Sequence, residues 1–163
     1  MVSAADIELR PEEGLVYYQN KVFTGLSQAL FDNGQPASLI AYRKGKKHGL
    51  YQKWFEEGQL SFSSIYLNGK QHGITKTWWR NGNLRTRSNF VEGVPHGVQE
   101  QWYVSGQPLK KINLVDGKEF GIQQSWRENG KIYNNYEAKD GRIFGLKRAN
   151  LCYELNDETI QYQ

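Results

Sequence analysis

Short apolar-rich runs alternate with glycine-bearing polar segments along the chain, and the alternation returns every 24 residues. Glycines stand at Gly25, Gly49, Gly73, Gly97, Gly121 and Gly145, again at Gly34, Gly58, Gly82, Gly106 and Gly130, and again at Gly45, Gly69, Gly93, Gly117 and Gly141. Three ladders held in one phase are the signature of a repeat architecture, in which each unit buries its apolar face against its neighbours. Leu50 to Phe55 lies between two of these glycines and Leu60 to Leu67 between the next two. Both runs have strand length and neither supports an independent helix. The glycine-bearing segments are then turns. Glu57-Gly58-Gln59, Asn81-Gly82-Asn83 and Asn129-Gly130-Lys131 close one end of each hairpin, and Asn68-Gly69-Lys70 and Asp116-Gly117-Lys118 serve the other.

The fold class this predicts is all-β: an elongated, mostly antiparallel single sheet of tandem 24-residue β-hairpins. Five full units and a partial one at each end occupy residues 13–148, between an N-terminal extension over 1–12 and a C-terminal cap or tail over 149–163. Roughly twelve strands at about 4.8 Å spacing make a sheet on the order of 55 Å long.

Alternation along a strand assigns faces, because residues two apart point the same way. One face of the first strand carries Leu26, Leu50, Ile74, Val98, Ile122 and Leu146, with Leu30, Trp54, Trp78, Trp102 and Trp126 four residues further on. The expectation is that Tyr42, Tyr66, Phe90 and Leu114 join that face and that together they form the buried side. Lys53, Thr77, Gln101 and Ser125, with Ser63, Arg87 and Lys111, are expected on the solvated side. The row Phe31, Phe55, Trp79 and Tyr103 points away from the tryptophans, as a second small cluster or an exposed aromatic strip.

Composition narrows the picture. With 38% hydrophobic and 13% aromatic residues the chain has enough apolar material to fold, and much of it is aromatic, which suits a thin sheet. A net charge of +4 permits acidic partners without implying nucleic acid, which is not expected. Cys152, the single cysteine, has no partner for an internal disulfide and reads as a small apolar residue of the C-terminal cap. No apolar run is long enough for a membrane-spanning helix, and residues 1–10 lack the apolar core of a signal peptide. The compartment stays open: cytoplasm, or the periplasm or cell envelope if a leader preceded Met1.

Candidate chemistry is sparse. His48, His72 and His96 share one repeat position, yet equivalent residues two strands apart are about 9.6 Å from each other, far beyond the roughly 2.1 Å a zinc ion needs. They are expected to shape the turn before each glycine. The tryptophan row is either core or a stacking platform for a ligand, and its shared face with the aliphatic column favours core. Gly49, Gly73, Gly97 and Gly121 are read as structural with it. Candidate partner contacts are Phe31, Phe55, Trp79 and Tyr103, joined by Arg80 and Arg87. Arg85, Lys44, Lys46, Lys47, Lys110 and Lys111 complete a basic excess that an anionic lipid or acidic protein would use, or that merely solvates the surface and protects sheet edges. No paired carboxylates, phosphate-binding loop or cysteine–histidine pair supports catalysis, and no cofactor or metal is called for.

The run Tyr66-Leu67-Asn68-Gly69-Lys70-Gln71-His72-Gly73, continued by Trp78-Trp79-Arg80-Asn81-Gly82-Asn83-Leu84, resembles the MORN-repeat variant of bacteria. The resemblance extends over about residues 13–148 and is nearest to the YwqK-type proteins described as antitoxins of toxin–antitoxin systems. It departs from the pattern at Lys21, where a ladder glycine would stand, and over Cys152 to Gln163. It implies an elongated hairpin sheet used for protein contact and, for MORN repeats more broadly, attachment to lipid head groups. The expected role is therefore a non-enzymatic scaffold for protein–protein interaction, antitoxin-like in that it would neutralise a toxin. The alternative is an envelope or surface protein that binds anionic lipid or glycan through basic and aromatic residues. Whether sheet edges pair two copies is left open.

Overall fold

A computed structural model describes residues 1–148. Cys152 and the tail expected over 149–163 lie outside the described residues. The strands are β1 (Val2–Ser3), β2 (Ile7–Arg10), β3 (Leu15–Tyr18), β4 (Lys21–Val22), β5 (Gly25–Leu30), β6 (Pro36–Arg43), β7 (Lys46–Trp54) and β8 (Leu60–Leu67). They continue as β9 (Lys70–Trp78), β10 (Leu84–Val91), β11 (Val94–Trp102), β12 (Pro108–Val115), β13 (Lys118–Glu119), β14 (Gly121–Trp126), β15 (Ile132–Lys139) and β16 (Arg142–Leu146). Thirteen make one sheet in the order β1-β5-β6-β7-β8-β9-β10-β11-β12-β14-β15-β16, with β13 against β12. Apart from the parallel β1–β5 contact, its pairings are antiparallel, so the chain is all-β as the repeat requires. A second sheet of β2, β3 and β4 accompanies the large one.

Two kinds of turn alternate. At one end, both central residues have φ > 0: Lys44 and Gly45 at 50° and 75°, Asn68 and Gly69 at 49° and 87°, Asp116 and Gly117 at 49° and 77°. That is the two-residue I′ geometry, whose twist matches the flanking strands and whose second position favours glycine. At the other end, Phe31, Phe55, Trp79, Tyr103 and Arg127 each accept from the glycine three residues on and donate to the residue four on, as Trp79 does with Gly82 at 2.9 Å and Asn83 at 2.8 Å. The side-chain oxygens of Asn33, Asn81 and Asn129 accept the N–H two residues ahead and hold these turns open.

Neighbouring hairpins also bond turn to turn. The N–H groups of Gly69, Gly93 and Gly117 reach back to the carbonyls of Lys47, Gln71 and Pro95 at 2.8, 2.9 and 2.9 Å.

The small N-terminal sheet seats against the first repeats. Val16, Phe23 and Tyr42 form a buried cluster with Val2, Ile7, Tyr18 and Ile40 packed around it. Gly45 lies beneath that sheet, where an added Cβ would meet Leu15 Cβ at 3.0 Å and Val22 Cγ1 at 3.1 Å.

The pairing register corrects the faces expected from alternation. Tyr42, Tyr66, Phe90 and Leu114 stand opposite Gly25, Gly49, Gly73 and Gly97, so they face away from Leu26, Leu50, Ile74 and Val98. The expected core column is the exposed one: Leu26, Leu50, Ile74, Val98, Ile122 and Leu146 are 37% to 49% exposed. Arg87, Lys111 and Ser63 lie on that same face, since Arg87 pairs with Lys76 and Ser63 with Gln52. The buried side carries Ser27, Ser64, Thr75, Gln99, Gln123, Tyr42, Tyr136 and Ala138. In a single layer, burial this deep requires the sheet to coil round that face, which its twist provides.

Polar residues belong in that interior because the ladder is broken there. Where β6, β8 and β10 meet the His-Gly segment that follows each of them, three residues on one strand face a single residue on the other. Gly49, Gly73 and Gly97 sit in these bulges with φ of 98°, 71° and 78°, and Gly121 holds the equivalent place at 73°. The bulge orphans backbone groups, and at Gly97 and Gly121 a glutamine side chain two residues on satisfies them. Gln123, with no exposed surface, donates to the carbonyls of Asn113 at 2.8 Å, Phe120 at 3.1 Å and Gly121 at 3.3 Å, and accepts from the Asn113 N–H at 3.1 Å. Gln99 repeats this with Asn89, His96 and Gly97.

Candidate interaction surface

The exposed face is organised as two parallel rows that run across the strands. In the first row Leu26 stands opposite Ala41, Leu50 opposite Ile65, Ile74 opposite Asn89, Val98 opposite Asn113 and Ile122 opposite Glu137. Its N-terminal half is aliphatic at every strand. The second row, two residues further along each strand, is linked by pairing without a gap: Gln28, Leu39, Gln52, Ser63, Lys76, Arg87, Glu100, Lys111, Gln124 and Asn135. Its centre holds three cations and one carboxylate.

Between the rows lies a shallow cavity of about 310 Å³, lined by Ile74, Arg87, Ser88, Asn89, Val98, Glu100 and Lys111. Arg87 Nη1 is 3.4 Å from Glu100 Oε2, and Lys111 Nζ is 3.8 Å from Glu100 Oε1. Glu100 is largely shielded while both cations are half-exposed, so each keeps donors free for a ligand. Lys76 has no ion pair among the described residues.

The other expected site residues go elsewhere. Phe31, Phe55, Trp79 and Tyr103 are half-buried at the first position of their turns, and the polar groups of Trp79 and Tyr103 are used internally. Trp79 Nε1 donates to the Trp102 carbonyl at 3.2 Å, and the Tyr103 hydroxyl donates to the Trp126 carbonyl at 2.9 Å, so each ring reaches across to the next hairpin. Burial, then the nearby Glu128, holds the Tyr103 phenol above its ordinary pKa. Arg80 pairs with Glu57 and lies 5.2 Å over the Phe55 ring, while Arg85 lies 4.5 Å over Trp79. Trp54, Trp78, Trp102 and Trp126 are half-buried at the ends of their strands.

Two of the three histidines serve turns of the following hairpin, whereas His72 Nδ1 is buried with no hydrogen-bond partner among the described residues. His48 Nδ1 accepts from the Asn68 N–H, and His96 Nδ1 from the Asp116 N–H, both at 3.4 Å. No group of three metal-ligating side chains occurs among the described residues.

A second charged feature lies at the first I′ turn. Arg43, Lys44, Lys46 and Lys47 fall within five positions and have no ion pair among the described residues, while Lys47 Nζ lies 4.7 Å over Tyr51 and 5.3 Å over Tyr66. The charge of each was legible in the sequence. Their clustering on the turn, and the sharing of one face by Arg87, Lys111 and the aliphatic column, needed the register.

Fold and surface together define a tandem β-hairpin repeat protein with one long open face. Residues 47–70 and 71–92 each match the MORN repeat variant. Those two segments cover β7 to β10, and the turn geometry found there recurs in the units on both sides. No curated protein matches the chain.

Proposed function

We propose that the protein is a non-enzymatic scaffold that binds another polypeptide along its exposed sheet face. The observation that carries this reading is the aliphatic row: Leu26, Leu50, Ile74, Val98, Ile122 and Leu146 recur on one face and remain solvent-exposed over the length of the sheet. An aligned apolar row bordered by charge, unbroken from Leu26 to Ile74 and alternating with Asn89, Asn113 and Glu137 beyond it, is the surface pattern of a contact site, whereas scattered exposed aliphatics are ordinary. A toxin neutralised by its binding protein is one partner of this class. The test is a photo-crosslinking amino acid at Ile122, with Asp140 in an I′ turn as the control position. The reading predicts a discrete adduct from Ile122 that is lost when Leu50 and Ile74 are both changed to Glu. Equal labelling from both positions would overturn it.

A second reading has its own observation, the unpaired cationic turn. Arg43, Lys44, Lys46 and Lys47 suit an anionic lipid or acidic glycan surface, an attraction that salt would screen. Sedimentation with phosphatidylserine vesicles tests it: Lys44→Glu with Lys46→Glu should abolish co-sedimentation, and retained binding would remove the turn from consideration.

A further inference from the structure

The two rows differ in chemistry and run in the same direction, which narrows what the open face can hold. Ile74 and Val98 are two strands apart, about 9.6 Å at the backbone. Three residues of peptide in the extended polyproline II form span about 9.3 Å and return every third side chain to the same face, so they keep step with that interval, whereas seven residues of α-helix span about 10.5 Å and drift by roughly 4 Å over four repeats. Charge decides the rest. Lys76, Arg87 and Lys111 face a single carboxylate, Glu100, which is already shared between two of them at 3.4 and 3.8 Å. The centre of the polar row is therefore short of anions, and the cavity beside it is walled by Ile74 and Val98.

We propose that this face holds an extended acidic peptide laid across the strands, its carboxylates against Lys76, Arg87 and Lys111 and its aliphatic side chains against Ile74 and Val98. The peptide has a three-residue period, with one aliphatic side chain for each hairpin. The inference rests on the interaction reading above and adds the chemistry and conformation of the partner. Backbone pairing is not required, since the contact is with a sheet face and not an edge.

The experiment measures fluorescence anisotropy of the full chain with labelled peptides of five Leu-Ser-Glu repeats, and with the matching Leu-Ser-Gln and Leu-Ser-Lys peptides, at low salt. The Glu peptide should bind at least about tenfold more tightly than the Gln peptide, a difference of roughly 1.4 kcal/mol. Arg87→Glu combined with Lys111→Glu should reverse the preference in favour of the Lys peptide. Lys76→Glu has no ion pair to lose and should weaken the Glu peptide alone, which keeps the test sound if the double variant melts early. Equal affinity for the Glu and Gln peptides, no binding to any of the three, or indifference to these substitutions would overturn the proposal. If a specific Ile122 crosslink persists in that event, the scaffold reading stands and only the acidic extended peptide is wrong; if the crosslink is absent too, both fall.

Discussion

Replacing Gln123 with Leu tests how the bulged interior is held together. The two side chains have similar volume, so the change removes hydrogen bonds with little loss of packing. Gln123 has no exposed surface, and its amide satisfies the Asn113 N–H at 3.1 Å and the Asn113 carbonyl at 2.8 Å, with weaker contributions to Phe120 and Gly121. Leucine leaves the Asn113 N–H unpaired, while the Asn113 carbonyl keeps the bond it accepts from the Phe120 N–H at 3.0 Å. One such group costs about 1–3 kcal/mol, so the expected loss is about 2 kcal/mol. For a chain of this length that corresponds to a fall in Tm of roughly 4–8 °C. Thermal and urea unfolding followed by circular dichroism would measure it. Gln124→Leu, next along the strand but on the open face, is the control and should change stability by less than about 1 kcal/mol. A Gln123→Leu protein within about 0.5 kcal/mol of the parent would refute the plug.

Three further outcomes follow from the packing. Gly45→Ala combines a φ of 75° with a Cβ 3.0 Å from Leu15, and should cost about 2–4 kcal/mol, seen as detachment of the N-terminal sheet in hydrogen exchange at Val16 and Phe23. Tyr103→Phe acts through pH: the phenol's pKa is raised above 10.0 in the fold, so its contribution is present below pH 10 and lost as pH rises through the folded value. The Phe variant should accordingly lose less Tm between pH 9 and 11 than the parent, and parallel curves would contradict the assignment. Trp78→Ala should cost about 1–3 kcal/mol in urea unfolding, below the roughly 3–5 kcal/mol of a full core tryptophan, because the ring is only half-buried.

The repeat and its turns were legible because they depend on local chemistry. Asn68-Gly69 and Asp116-Gly117 between strand-length runs favour an I′ turn, and the 24-residue spacing extends that assignment to Lys44-Gly45 and Glu92-Gly93, whereas Asn33-Gly34, Asn81-Gly82 and Asn129-Gly130 close longer turns without positive φ at the Asn. The faces were not legible for two physical reasons. Alternation tells which residues of one strand agree, but only the pairing register relates one strand to the next, and a one-residue shift beside each longer turn, as between the Lys53–Phe62 and Trp54–Leu60 pairs, reverses the face that the second strand presents. Hydropathy then points the wrong way. Ser27, Thr75, Gln99 and Gln123 look like surface residues yet fill the interior of a coiled sheet, where the two glutamines pair with backbone groups of the broken ladder, while Leu50 and Ile74 look like core and are open to solvent. A recurring signal was present in Thr75, Gln99 and Gln123, each two positions after its glycine, though not in Tyr51 after Gly49. Its meaning depends on the bulge, which no residue in the column announces. The polar row through Lys76, Arg87, Glu100 and Lys111 was hidden for the same reason, since its members come from four strands.

The face assignment underlies the interaction surface, and adjacent cysteines test it most directly. In a Cys152→Ser background, single cysteines at Ile74 and Thr75 would be labelled with a maleimide under native conditions. The structure predicts rapid labelling at 74 and labelling at least about a hundredfold slower at 75, where reaction must await local opening. Fast labelling at 75 with protection at 74 would put the aliphatic column back in the core and remove the open face on which the binding account stands.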